Sequence, residues 1–138
     1  MTAIARNKSY AGPALFSYGF RPFFFLGSCW AAFEVLAWLP IFHGELSLET
    51  AFAARDWHAH ELLFGYVPAV IAGFLLTAVP NWTGRPPVQG MPLVGLVSAW
   101  LAGRIAVTFS GVTGWIPAMM LDGLFLLAMV ATVVREIV

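Results

Sequence analysis

The sequence predicts an all-α fold, a polytopic membrane helix bundle of about four transmembrane helices. Only 10% of the 138 residues are charged and 60% are hydrophobic, whereas soluble domains carry about 25% charged residues. Four apolar stretches also have the required length, because a helix needs about 20 mostly apolar residues to cross the hydrocarbon core. We therefore expect residues 1–138 to form one transmembrane helical domain in contact with the lipid bilayer.

The four predicted spans follow one another along the chain. They cover residues 23–42, 60–80, 92–109 and 115–134. Segments rich in polar residues, Gly and Pro separate them, as is typical of loops. These segments are short, so consecutive spans are expected to run as serial hairpins.

The second span carries two helix signals. Ser47 is placed to cap a helix ahead of the apolar run, which predicts an amphipathic lead-in to this span. Pro68 lies inside the span and frees the carbonyl of Phe64. We therefore expect the second helix to begin before residue 60 and to bend near Pro68.

Small residues recur at every fourth position of the third span. Gly95, Ala99 and Gly103 form this pattern, which lets two membrane helices approach closely. One neighbouring helix is therefore expected to pack tightly against the third span.

Positive charge near the span ends predicts the orientation. Short cytoplasmic loops of membrane proteins are enriched in Lys and Arg. Five basic residues fall on one side of the predicted bundle: Arg6, Lys8, Arg21, Arg85 and Arg135. The other side has only Arg55, whose loop also carries acidic residues, so both termini are expected to be cytoplasmic.

Several functional classes are disfavoured by composition. The basic residues are scattered and balanced by acidic ones, so no nucleic-acid partner is expected. The single cysteine, Cys29, excludes an internal disulfide and a Cys-rich metal cluster. No nucleophile–base pair, phosphate loop or dinucleotide fingerprint is recognisable, which leaves enzymatic activity open.

Ionisable residues within the predicted spans are the main functional candidates, because such groups are costly in a membrane. With the predicted topology, all of them fall in the same, non-cytoplasmic half of the bundle. They are Glu34, His58, His60, Glu61, Arg104 and Asp122.

Arg104 and Asp122 lie at matched depths on two helices joined by a tight turn, which predicts an ion pair that fixes helix packing. Alternatively, Arg104 holds an anionic group such as a haem propionate or a substrate.

The two neighbouring histidines are the sharpest signal for chemistry. On a helix His58 and His60 point about 200° apart, which predicts two environments rather than one chelate. Imidazole is a common ligand of haem iron and copper, and Glu61, on the same helix face as His58, is placed to orient its ring. The alternative is that each histidine only hydrogen-bonds within the bundle.

Four blocks of the sequence resemble the NnrS family. They are GFRPFFFL at 19–26, WHAHELLFG at 57–65, AGFLLTAVPNWTGR at 72–85 and WLAGR at 100–104. The resemblance implies a multi-pass bacterial inner-membrane protein that contains haem and copper and is linked to denitrification and nitric oxide stress. It points to His58 and His60 as metal or haem ligands. It also points to Arg21, Arg85, Arg104 and Glu61 as residues with supporting roles, beside the polar Glu34 and Asp122.

Family members are typically longer, and this chain is similar to their N-terminal part. Further helices of a longer protein, or of an oligomer, are therefore expected partners, and they are a source of additional haem or copper ligands.

Two other functions remain open. One is a path for a small solute or a proton, and the other is a purely structural membrane subunit.

Overall fold

Four long helices form the bundle in the computed structural model, which describes residues 10–138. They are α1 (Phe20–Phe42), α2 (Ala54–Thr83), α3 (Met91–Thr108) and α4 (Trp115–Ile137). Each is long and apolar enough to cross a membrane, and no strand occurs among the described residues. The predicted all-α membrane fold is confirmed. Two of the predicted orientation residues, Arg6 and Lys8, lie outside the described part of the chain.

The two loops at one end of the bundle are tied together. We call this the distal end; it carries the loop 43–53 and the turn 109–114. Gly111 N donates to Glu49 O at 2.8 Å, and Ala51 N donates to Ser110 Oγ at 2.9 Å. Thr50 Oγ1 donates to the carbonyl of Val107 at 3.1 Å. These bonds hold the loop 43–53 against the C-terminal end of α3.

The sequence predicted that an amphipathic extension of the second helix begins at Ser47, and this starting point is wrong. Helix α2 begins at Ala54, after Ala53 in an extended conformation (φ −65°, ψ 153°), and no side chain caps it. Thr50 bonds to the carbonyl of Val107 and Ala51 bonds to Ser110, so the chain before Ala54 is held in a non-helical path. The prediction that α2 starts before residue 60 is nevertheless confirmed.

Helix α2 changes its geometry just before Pro68. Residues Glu61–Tyr66 form a π-helix between the α-helical segments Ala54–His60 and Val67–Thr83. A proline has no N–H for the carbonyl four residues earlier, so the regular hydrogen-bond pattern cannot continue through it. A π-helix, a feature that is frequent at functional sites, thus precedes Pro68, and the bend predicted there stays a prediction.

The core is apolar and joins all four helices. Phe23 of α1, Leu76 of α2, Trp100 of α3 and Phe125 of α4 are all at most 2% exposed. Outward positions are also apolar, as Leu36 illustrates with 70% exposure. A surface of this kind matches lipid rather than water as its solvent.

The small residues of α3 allow close helix packing at the C-terminal end of the pattern only. A Cβ on Gly103 would lie 3.0 Å from the Cα of Asp122, so this glycine lets α3 and α4 touch closely. A Cβ on Gly95 would meet nothing within 4 Å. The predicted close packing is therefore confirmed at Gly103 and wrong at Gly95.

Candidate functional site

His58 is bound by a carboxylate from another helix. Its Nδ1 contacts Glu34 Oε1 of α1, and Glu34 is completely buried. The imidazole ring also stacks on Trp38, with ring centroids 4.2 Å apart and an angle of 16° between the planes. Glu34 and Trp38 are four residues apart on α1 and share one helix face. This face therefore fixes both the position and the plane of the His58 ring.

The contact with Glu34 determines which ring nitrogen remains free. An ionised carboxylate only accepts hydrogen bonds, so it holds the proton of a neutral imidazole on Nδ1. Within residues 10–138, Nε2 of His58 has no hydrogen-bond partner, and the side chain is 21% exposed. In that tautomer, Nε2 carries a lone pair that no described residue uses. The prediction that Glu61 orients His58 is wrong, because Glu34 occupies that position.

A buried ionic network joins α2, α3 and α4. Arg104 is 0% exposed; its Nη1 donates to Glu61 Oε2 at 2.8 Å, and its Nη2 donates to Asp122 Oδ1. The predicted ion pair between Arg104 and Asp122 is confirmed. Glu61, also 0% exposed, is the additional partner. One guanidinium thus fixes carboxylates from two other helices, which its fork of donors is suited to do.

His60 belongs to this network and not to the environment of His58. Its Nε2 lies 3.3 Å from Asp122 Oδ2, and its Nδ1 lies 3.5 Å from Glu61 Oε1. The ring packs against those of Phe52 and Phe64, at centroid distances of 5.3 and 5.1 Å. The prediction of two different environments for the two histidines is confirmed.

Two tryptophans donate hydrogen bonds to α2 at this site. Trp30 Nε1 donates to Glu61 Oε2 at 2.8 Å, and Trp100 Nε1 donates to the carbonyl of Gly65 at 2.9 Å. A signal was available for Trp30, since it precedes Glu34 by four residues and so shares its face of α1. No comparable spacing marks Trp100, whose acceptor lies in the π-helix.

The structure does not bring Arg21 and Arg85 to this site. Arg21 lies at the start of α1, where its Nη1 donates to the carbonyl of Ala14 at 2.9 Å and its guanidinium lies 5.9 Å from the centre of the Tyr18 ring. Arg85 follows α2 and donates to the carbonyl of Arg135. Both contacts are at the end of the bundle opposite His58 and tie chain segments together.

The described residues suit some metal centres better than others. Among residues 10–138, no three His, Cys, Asp or Glu side chains converge on one point that would hold a metal ion. A copper centre with three ligands of these types is therefore not formed by residues 10–138 alone. A haem iron needs only one or two axial ligands from the protein. His58 fits that role, and beside it Glu34 Oε2 and Trp38 Nε1 are buried without hydrogen-bond partners among the described residues.

Comparison with protein families identifies a match over most of the chain. The family model described as NnrS protein matches residues 14–138. No curated protein and no solved structure matches the chain. The match covers all four helices and every residue of the site described above.

Proposed function

This chain belongs to the NnrS family, and we propose that it acts in the response to nitric oxide, or in denitrification, by holding haem through His58. The observation that carries this proposal is the contact of His58 Nδ1 with the buried Glu34. Metal-bound histidines commonly donate their second ring N–H to a carboxylate, which fixes the tautomer and raises the basicity of the ligating nitrogen. Glu34 is in this position, and Nε2 of His58 is the ligating atom that we propose.

His60 was predicted from the sequence as a second ligand, and its surroundings suit that role less well. Both of its ring nitrogens face carboxylate oxygens, Asp122 Oδ2 and Glu61 Oε1. A metal at either nitrogen would have to displace His60 from the ionic network. We therefore assign the ligand role to His58 and leave His60 to the network.

Each residue of the site has a distinct part in this proposal. His58 would hold the haem, whose iron would supply a binding position for a diatomic ligand such as nitric oxide. Glu34 holds the proton on Nδ1, and Trp38 fixes the plane of the imidazole by stacking. The guanidinium of Arg104 is already bound to Glu61 and Asp122. Arg104 therefore stabilises the packing of the three helices and does not bind an anionic group.

We further propose that the protein lies in the bacterial inner membrane with both termini in the cytoplasm. The basic Arg21, Arg85 and Arg135 lie at one end of the bundle, as the charge rule for membrane proteins requires of the cytoplasmic side. A Ser47→Cys variant in a Cys29→Ser background tests this orientation. Labelling of intact spheroplasts by a membrane-impermeant maleimide supports it, and labelling only after lysis contradicts it.

The haem proposal is tested by the visible absorption spectrum and the iron content of the purified chain in mild detergent. We expect a Soret band that is lost in His58→Ala and retained in His60→Ala. His43→Ala is the matched control, because His43 is exposed and lies just after α1. Helical content from far-UV circular dichroism separates loss of haem from loss of fold.

Two results contradict the proposal. One is a folded, helical chain that does not bind added haem. The other is a Soret band that is identical in the His58→Ala and His43→Ala variants. The physiological part is tested in cells that depend on this protein for growth under a nitric oxide donor, where His58→Ala should remove the protection and His43→Ala should keep it.

A further inference from the structure

A pocket of about 250 Å³ opens at the distal end, on the side of His60 that faces α4. Phe52 of the loop, Val107 of α3 and Met119 of α4 contribute apolar walls. His60 and Asp122 provide the polar part of the lining. A largely apolar pocket with a few convergent polar groups is typical of a small-molecule site.

The size and the walls of the pocket favour a single aromatic ring. The volume of about 250 Å³ is just below the range of about 300–1,000 Å³ that is usual for drug-sized ligands. Phe52 and Trp115 lie in its lining, and the Phe52 ring packs against that of His60. Aromatic side chains interact favourably with other rings in stacked and edge-to-face arrangements.

The charge of the surrounding network favours a hydrogen-bond donor on that ring. Among residues 10–138, Arg104 is the guanidinium that pairs with both Glu61 and Asp122, so these three groups carry one net negative charge when both carboxylates are ionised. Arg104 binds Oδ1 of Asp122, whereas Oδ2 lies 3.3 Å from His60 Nε2, and both Asp122 and His60 line the pocket. An ionised carboxylate oxygen accepts more than one hydrogen bond, so Oδ2 has capacity for a ligand hydroxyl.

We propose that this pocket binds a single-ring aromatic alcohol of the phenol or hydroquinone class, whose hydroxyl donates to Asp122 Oδ2 and whose ring packs against Phe52 and Trp115. The site is distinct from His58, which lies against α1 and does not line this pocket. Binding of the alcohol therefore does not require haem at His58, and the two proposals succeed or fail separately.

Equilibrium dialysis against lipid nanodiscs that contain the full chain tests the donor requirement. The probe is 2,3,5-trimethylhydroquinone, kept reduced with ascorbate, and the comparison compound is its dimethyl ether, which has the same ring and no donor. We expect the hydroquinone to bind at least about tenfold more tightly than the ether, since hydrogen bonds to charged groups are strong. Equal dissociation constants for the two compounds overturn the proposal.

A matched pair of variants tests the location. Met119 lines the pocket and Met120 does not, and both side chains are mostly exposed (59% and 67%). Both substitutions to Trp are therefore compatible with folding. Met119→Trp fills the pocket and should weaken hydroquinone binding at least about tenfold, whereas Met120→Trp should leave it unchanged. Equal binding by the two variants overturns the assignment of the pocket, whatever the haem content of the protein.

Discussion

Arg104 Nη1 donates to Glu61 Oε2 at 2.8 Å across the interface between α2 and α3, and neither side chain reaches solvent. Glu61 opens the π-helix of α2, and the same guanidinium extends to Asp122 on α4. A buried ion pair contributes little net stability compared with apolar packing, but breaking it leaves uncompensated charge. The network therefore specifies which helices are neighbours, and its loss is costly.

Arg104→Gln should destabilise the bundle strongly. The substitution leaves two buried carboxylates without their cation, for which a loss of about 3–5 kcal/mol is expected. Arg55→Gln is the control, because Arg55 is 85% exposed and its ion pair with Asp56 lies in solvent. Unfolding in detergent mixtures, followed by circular dichroism, measures both variants. An equally small effect of the two substitutions would show that the network is not needed for packing.

Gly65→Ala should be destabilising although it adds only one methyl group. The new Cβ would lie 2.5 Å from Arg104 Nη1 and 3.0 Å from Glu61 Oε2, so the ion pair would have to shift. Overpacking of this kind typically costs about 1–3 kcal/mol. Gly95→Ala is the control, because its Cβ would meet nothing within 4 Å. In the same unfolding experiment that variant should be as stable as the wild type or slightly more stable, since Gly is a poor helix former.

Trp30→Phe isolates one hydrogen bond of the network. It keeps an aromatic ring on α1 but removes the indole N–H that donates to Glu61 Oε2 at 2.8 Å. Loss of a hydrogen bond to a buried charged group should cost about 1.5–3 kcal/mol. Trp82→Phe is the matched control, since Trp82 is 69% exposed. If both variants unfold alike, the indole of Trp30 serves packing alone.

The sequence could predict contacts between residues on consecutive helices and directions of residues on one helix. Arg104 and Asp122 are on α3 and α4, which are joined by a short turn, so their depths are fixed by counting residues from that turn. The opposite directions of His58 and His60 follow from helix geometry alone. The four spans were predictable because length and hydropathy alone identify membrane helices.

The remaining parts depend on information that no local pattern carries. The partner of His58 is Glu34, which lies 24 residues earlier and on another helix. Which faces of α1 and α2 meet depends on the packing of the whole bundle. Helical spacing places Glu61 on the same face as His58, but Arg104 and Trp30 from two other helices bind Glu61 instead.

Glu34→Gln should weaken haem binding without removing the ligand. Gln keeps the size of the side chain but replaces the carboxylate that contacts Nδ1 of His58 by a neutral amide. Loss of such a supporting partner typically lowers metal affinity about 10–100-fold. Titration of the purified chain with haem, followed at the Soret band, measures the change, and Glu45→Gln in the exposed loop is the control. Because His58 is retained, the variant should still reach full occupancy at high haem concentration, unlike His58→Ala. An affinity equal to that of Glu45→Gln would mean that Glu34 packs against His58 without tuning it, and the ligand assignment would lose its main support.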